Sequence, residues 1–141
     1  RIEYTKVAGG VLVGITHAGG NMFVREVYMR DVWYHPITVY DKSGKKKVGN
    51  ERISNIAGPL CFSGDLIAKE VPLPAFEQGD YIIYHHTAAY SISMYSKYNC
   101  IPAPPAYMYS VHSTDAGTNR VEVRLIRRKE TAEELSAFWD A

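Results

Sequence analysis

The chain has 141 residues, with 16 Lys+Arg against 15 Asp+Glu and 46% hydrophobic residues. That length suits one domain with an ordinary core, and the formal charge of +1 argues against the basic surface of a nucleic-acid binder. No apolar run approaches the roughly 18 residues that span a bilayer, and the composition is not that of a disordered chain.

Eleven Tyr and many Val and Ile suit pleated, half-buried surfaces, so the fold reads as mostly β. Val11–Thr16 reads as a strand between the glycine pairs Gly9-Gly10 and Gly19-Gly20. Residues 23–28 read as the next strand and 32–40 as a third. Residues 41–50 carry four lysines with Ser43, Gly44 and Gly49, the composition of a solvated hairpin tip. Gly58-Pro59 marks a turn within 53–61, and Pro72 and Pro74 make 70–79 a loop. Strands follow at 80–86 and 89–94. Residues 101–105 hold three prolines and are excluded from a central strand. Strands at 107–111 and 120–127 flank a polar turn at 112–119. Thr131 followed by Glu134 is a capping-box pattern, and Leu135, Phe138 and Trp139 then fall at helical spacing, which predicts a short C-terminal helix. The chain begins at Arg1 without a visible signal or transit peptide, which reads as a processed chain, an excised piece or a fragment. Two cysteines make no disulfide framework. Two free thiols in a reducing compartment is the simpler reading.

The most unusual stretch is Gly58-Pro59-Leu60-Cys61-Phe62-Ser63-Gly64-Asp65. It holds a thiol between two turn-forming segments, with an acid four residues on. Three readings of Cys61 stand open: a buried structural thiol, a nucleophile activated by a base, or a proton donor. A donor must be protonated, and a free thiol titrating near about 8.5 is mostly protonated at neutral pH. His85-His86 lies in a predicted strand, so the two rings point to opposite faces and do not share a metal. The remaining histidines are scattered, and no Cys/His spacing matches a zinc site. No glycine pattern lies between a strand and a helix as a phosphate loop requires. Tyr90, Tyr95 and Tyr98 form an aromatic cluster, either packed on a sheet or offering a phenol to a bound anion.

These segments resemble a known family. Gly58 to Asp65 resembles the "GP-x-C-x-S-x-D" element of the fold-type III pyridoxal-phosphate decarboxylases, which act on diaminopimelate, ornithine and arginine. Gly79-Asp80, Ala88-Ala89-Tyr90 and Met94-Tyr95-Ser96-Lys97-Tyr98-Asn99 resemble that family's "GD … GAY … M-x-S-x-YN" run. Ala18-Gly19-Gly20-Asn21, Arg25 and Tyr34-His35-Pro36-Ile37 resemble the diaminopimelate branch's "DAGMN … R … YHPI", and the Ile126–Thr131 run before the helix also matches that branch. The resemblance spans nearly the whole chain. It implies a single C-terminal β domain over residues 1–141, a Greek-key-like barrel or sandwich. The α/β barrel that holds most of the pyridoxal phosphate is absent from this chain.

By resemblance, Cys61 is the catalytic cysteine that enters the partner subunit's site and returns a proton to carbon after CO2 leaves. Tyr90 reaches the cofactor, and Arg25 binds a substrate carboxylate with its planar fork. Asp65 holds the turn behind Cys61. The implied partners are an amino-acid substrate and a second copy of the chain in a two-fold dimer, with neither nucleic acid nor membrane. The implied location is the cytoplasm, with an organelle such as a plastid left open. Three departures bear on specificity and function. Phe62 stands where the family has an acid for the distal ammonium of the substrate, so the expected substrate carries an apolar or uncharged tail. Tyr28 is the tyrosine near Arg25, but one place early. Ala89 replaces a glycine. Loss of the acid also admits an alternative, a non-catalytic homologue that acts as a regulatory binding protein. An unrelated small barrel binding ligand or single-stranded nucleic acid on its tyrosines is a third reading, which the near-zero charge opposes.

Overall fold

The structure, a computed structural model, describes residues 1–113 and 117–140. It forms two compact units, Arg1–Asn99 and Cys100–Ala141.

The first unit is built on a four-stranded sheet of order β1 (Ile2–Ala8), β2 (Val11–Thr16), β4 (Glu51–Ala57), β5 (Leu66–Pro74). The β2–β4 pair is parallel and its neighbours are antiparallel. The β1–β2 hairpin closes on Gly9 and Gly10, both at positive φ (56° and 81°), as a tight hairpin turn requires. A second, two-stranded sheet pairs β3 (Ile37–Tyr40) with β6 (Tyr81–Tyr84). Ile2, Leu12, Ile56, Ala68 and Leu73 from the larger sheet meet Val39 from the smaller one, with Phe76 between, and Ile37, Ile82 and Tyr84 pack against them. The mostly-β reading holds. Among the described residues the strands are shared among three open sheets, none closed on itself.

Several local expectations are corrected. Residues 23–28 form a helix, α1 (Val24–Tyr28), rather than a strand. Its buried residue Glu26 and the buried Phe23 that precedes it are three apart, and over so short a run the periods of two and 3.6 are hard to separate. The predicted third strand shrinks to Ile37–Tyr40, because Pro36 offers no ladder donor and the segment before it runs as a loop. Of the stretch read as a proline loop, residues 70–74 are instead the second half of β5, while 75–79 are a loop as expected. Pro72 and Pro74 pair with Ile53 and Glu51, which an outer strand tolerates because alternate N–H groups face away from its neighbour. Residues 89–94 are not a strand. They belong to turns that begin in α2 (Ala88–Ser91), where Ala89 (ψ 137°) and Tyr90 (φ 68°) leave helical backbone. The strand read at 80–86 ends at Tyr84 and His86 sits at φ 59°, so the opposite-face argument for the paired histidines does not apply. The lysine-rich tip is a solvated turn, held by Asp41 Oδ1 accepting from the Ser43 and Lys45 amides. Lys47 departs from that reading: its ammonium donates to buried Asp80 at 2.8 Å.

In the second unit β7 (Ala106–Ser113) pairs with β8 (Asn119–Arg127). The turn predicted between them includes residues 114–116, which lie outside the described residues. Ala103 and Glu130 exchange two hydrogen bonds. Arg127 Nη2 donates to the Pro104 carbonyl at 2.7 Å. Helix α3 (Ala132–Trp139) starts at Thr131 with the full capping box, and Leu135 is its buried residue. Among the described residues no helix is long and apolar enough to cross a membrane.

On β1, Glu3 accepts from Arg1 Nε at 2.9 Å and lies 2.7 Å from His17 Nε2. The Arg1 hydrogen bond, with His17 adding to it, holds the Glu3 carboxyl down at about 2. A depressed carboxylate stabilises the fold above its unfolded value of about 4.3 and loses that contribution as pH falls through about 2. An NMR titration is expected to place Glu3 near about 2, and to move it upward in Arg1→Gln.

Candidate functional site

Two features converge on the loop that carries Cys61. The first is a buried carboxylate. Asp65, 4% exposed, accepts from the Gly20 amide at 2.6 Å with Oδ1 and from the Leu60 amide at 2.7 Å with Oδ2. Its backbone closes the same loop, since its carbonyl accepts from Gly58 and its amide donates to Phe62. The second is close backbone approach. A Cβ at Gly58 would overlap Gly19 Cα and both Asp65 carboxylate oxygens, and a Cβ at Gly19 would lie 2.6 Å from those oxygens. The glycine pair after β2 and the Gly-Pro turn after β4 thus press together around one charge. The tip that projects from this knot holds Cys61, which is exposed with a free thiol. Asp65 therefore holds the turn behind Cys61, as read from the sequence.

Phe62 turns back onto its own loop. Its ring packs against Gly64, where a Cβ would come within 2.5 Å, and meets Tyr98 edge-on with centroids 5.9 Å apart. Tyr98 Oη also donates a long bond, 3.5 Å, to the Cys61 carbonyl. Beside these rings runs a groove of about 300 Å³. Phe62, Tyr98, Leu60 and Val24 line it with Tyr28 from the end of α1, and no carboxylate is among its lining residues. Asn21 on its wall is buried and donates from Nδ2 to Tyr95 Oη at 3.3 Å.

Arg25 lies on α1 next to Val24, which borders both the groove and a small niche holding Arg25 and Tyr90. The guanidinium sits 4.0 Å from the Tyr90 ring centroid and 4.6 Å from that of Trp33. Those two rings stand at 75° with centroids 6.0 Å apart, so the cation occupies the corner between them. No described residue makes a hydrogen bond or ion pair with the Arg25 side chain, which leaves its N–H fork open to a carboxylate. Tyr90 is half-exposed, at φ 68°.

The structure thus pairs Arg25 with Tyr90, and Phe62 with Tyr28. The three tyrosines read as one cluster have different partners: Tyr90 stacks on Arg25, Tyr95 receives Asn21, and Tyr98 packs on Phe62. Trp33 was not singled out by sequence reading. Its signal was hidden because 32–40 read as one alternating strand, in which a Trp is ordinary packing.

A model of the pyridoxal-dependent decarboxylase C-terminal sheet domain matches residues 1–88. The diaminopimelate decarboxylase of Streptomyces coelicolor is 35% identical over 151 aligned positions, covering 93% of this chain and 32% of that protein. The Escherichia coli K12 enzyme is 36% identical over 113 positions, covering 74% and 25%. One diaminopimelate decarboxylase crystal structure superimposes with a TM-score of 0.81 at 32% identity, over 99% of this chain and 32% of that one. The Helicobacter pylori enzyme, crystallised with L-lysine, gives 0.72 at 27%, over 99% and 30%. The chain therefore spans a third or less of the length of these relatives. On the matched domain and this breadth of similarity, the chain belongs to the pyridoxal-dependent decarboxylase family as its C-terminal sheet domain, alongside the diaminopimelate decarboxylases.

Proposed function

We propose that this chain completes the active site of a cytoplasmic, homodimeric, pyridoxal-phosphate-dependent amino-acid decarboxylase. The observation that carries the reading is the exposed Cys61 thiol on a loop locked by Asp65. A thiol presented outward on a rigid support is built to act on something outside its own domain, and a second copy related by a two-fold axis supplies that site. The residues here suit contact with the cofactor rather than its anchoring. Tyr90 offers a half-exposed phenol beside the Arg25 cation, and no lysine lines that niche. When bound, pyridoxal phosphate supplies the sink for the electron pair left as CO2 departs.

Each residue then has a task. Arg25, held in its aromatic corner, binds a substrate carboxylate through its open fork. Cys61 gives its S–H proton to the carbon that lost CO2, and the thiolate recovers a proton from solvent. Phe62 and Tyr28 border the groove that takes the distal part of the substrate. Without a carboxylate there, an ammonium tail loses a charge-assisted bond, so an apolar or uncharged tail is favoured.

The test is CO2 release by the full-length protein with added pyridoxal phosphate, over amino acids with charged and uncharged tails. Cys61→Ala is expected to lower kcat about a hundredfold while the absorbance of the bound cofactor persists. No cofactor absorbance and no CO2 from any substrate would favour the non-catalytic regulatory homologue. For the tail, Phe62→Glu is expected to raise kcat/KM for diaminopimelate, ornithine or lysine about tenfold or more. Fast turnover of those three, unchanged by that substitution, would remove the uncharged-tail reading.

A further inference from the structure

The first unit contains a second cavity, of about 400 Å³, between the segment that follows α1 and strand β5. We infer that it binds a small carboxylate with an apolar body. The anchor is Arg30. Its Nη2 donates to the Leu66 carbonyl at 2.6 Å, which fixes the guanidinium. Its Nε is shut off from solvent and has no partner, and no described carboxylate lies within ion-pair distance of the side chain. The half-buried guanidinium thus lines the cavity as a fixed cation without a carboxylate partner, and a bound anion would give it a charge-assisted bond.

The rest of the wall agrees. Lys69 adds a second cation. Glu26 also lines the cavity; its Oε1 lies 2.5 Å from His35 Nε2, a buried ion-pair contact without hydrogen-bond geometry. Asp31 is exposed and is the remaining acid of the lining. Tyr84 presents a phenol whose burial pushes it above its ordinary value, so it stays a neutral hydroxyl. Ile37, Ile67 and Val71 also line the cavity and give it an aliphatic surface that suits a chain of several carbons. Trp33 belongs to this wall as well as to the Arg25 corner, so an occupant touches the residue on which Arg25 rests.

The probe is hexanoate, titrated into the full-length protein by calorimetry and followed by ligand-observed NMR, with hexanol as the uncharged control. Hexanoate is expected to bind about tenfold or more tighter than hexanol. Arg30→Gln should weaken hexanoate about tenfold. Lys69→Gln, at an exposed position that does not threaten folding, should weaken it by a smaller factor. Arg25→Gln should leave hexanoate binding unchanged, which separates this cavity from the carboxylate site proposed above. Absence of binding up to about 10 mM, well beyond the millimolar range of weak ligands, overturns the inference. So does equal binding of hexanol, indifference to both Arg30→Gln and Lys69→Gln, or loss of binding in Arg25→Gln alone.

Discussion

Gly58→Ala is expected to destabilise the first unit by about 4 kcal/mol or more, enough to leave much of the protein unfolded. The added methyl group meets a backbone carbon, Gly19 Cα, and both oxygens of Asp65 at once. None of these is the free end of a flexible side chain. Overpacking alone costs about 1–3 kcal/mol. Here relief also requires Asp65 to move off the Gly20 and Leu60 amides, and each such bond to a charged group contributes about 1.5–3 kcal/mol. Gly10→Ala is the matched control. It places a side chain at φ 81° but meets nothing within 4 Å, so its loss should be near 1 kcal/mol, that is about the ordinary glycine effect. Urea unfolding of the two variants measures the difference. Equal losses would show that crowding around Asp65 does not set the demand for glycine at position 58.

Asp65→Asn is expected to cost about 2–4 kcal/mol although it preserves shape. Two amides, of Gly20 and Leu60, converge on opposite oxygens of one carboxylate. An amide side chain offers one oxygen and turns an NH2 donor toward the other N–H. One backbone donor is then left buried without an acceptor. Hydrogen exchange locates the damage: the Gly20 and Leu60 amides should lose protection while that of Ile56, fully buried in β4, keeps it. Retained protection at both amides in the variant would mean that the carboxylate is not what closes the loop.

What the sequence makes legible follows from how local the physics is. The Thr131–Glu134 cap is readable because a hydroxyl and a carboxylate three residues apart complete the motif by themselves. The Gly9-Gly10 turn is readable for the same reason. Strand β1 carries little signal, since Ile2 is its one buried residue and Tyr4 and Val7 face solvent. Helix α1 is misread because five residues do not separate two periodicities. The candidate site divides along the same line. Gly-Pro before Cys61 and Ser-Gly after it announce a bend, and the family resemblance marks Asp65 as its brace. That the brace also holds Gly20, 45 residues earlier, is visible only in three dimensions. The aromatic corner around Arg25 joins residues from three separate segments, which no spacing rule anticipates.

Strand β5 has a consequence for solution behaviour. It is the outermost member of its sheet, and its prolines at 72 and 74 are two residues apart, so their nitrogens look out along the same border. A polypeptide arriving from outside finds acceptors there but two missing donors, and cannot zip on in register. That margin is blunted against the edge-to-edge stacking that seeds fibrils, which leaves β1 as the border of the four-stranded sheet that proline does not protect.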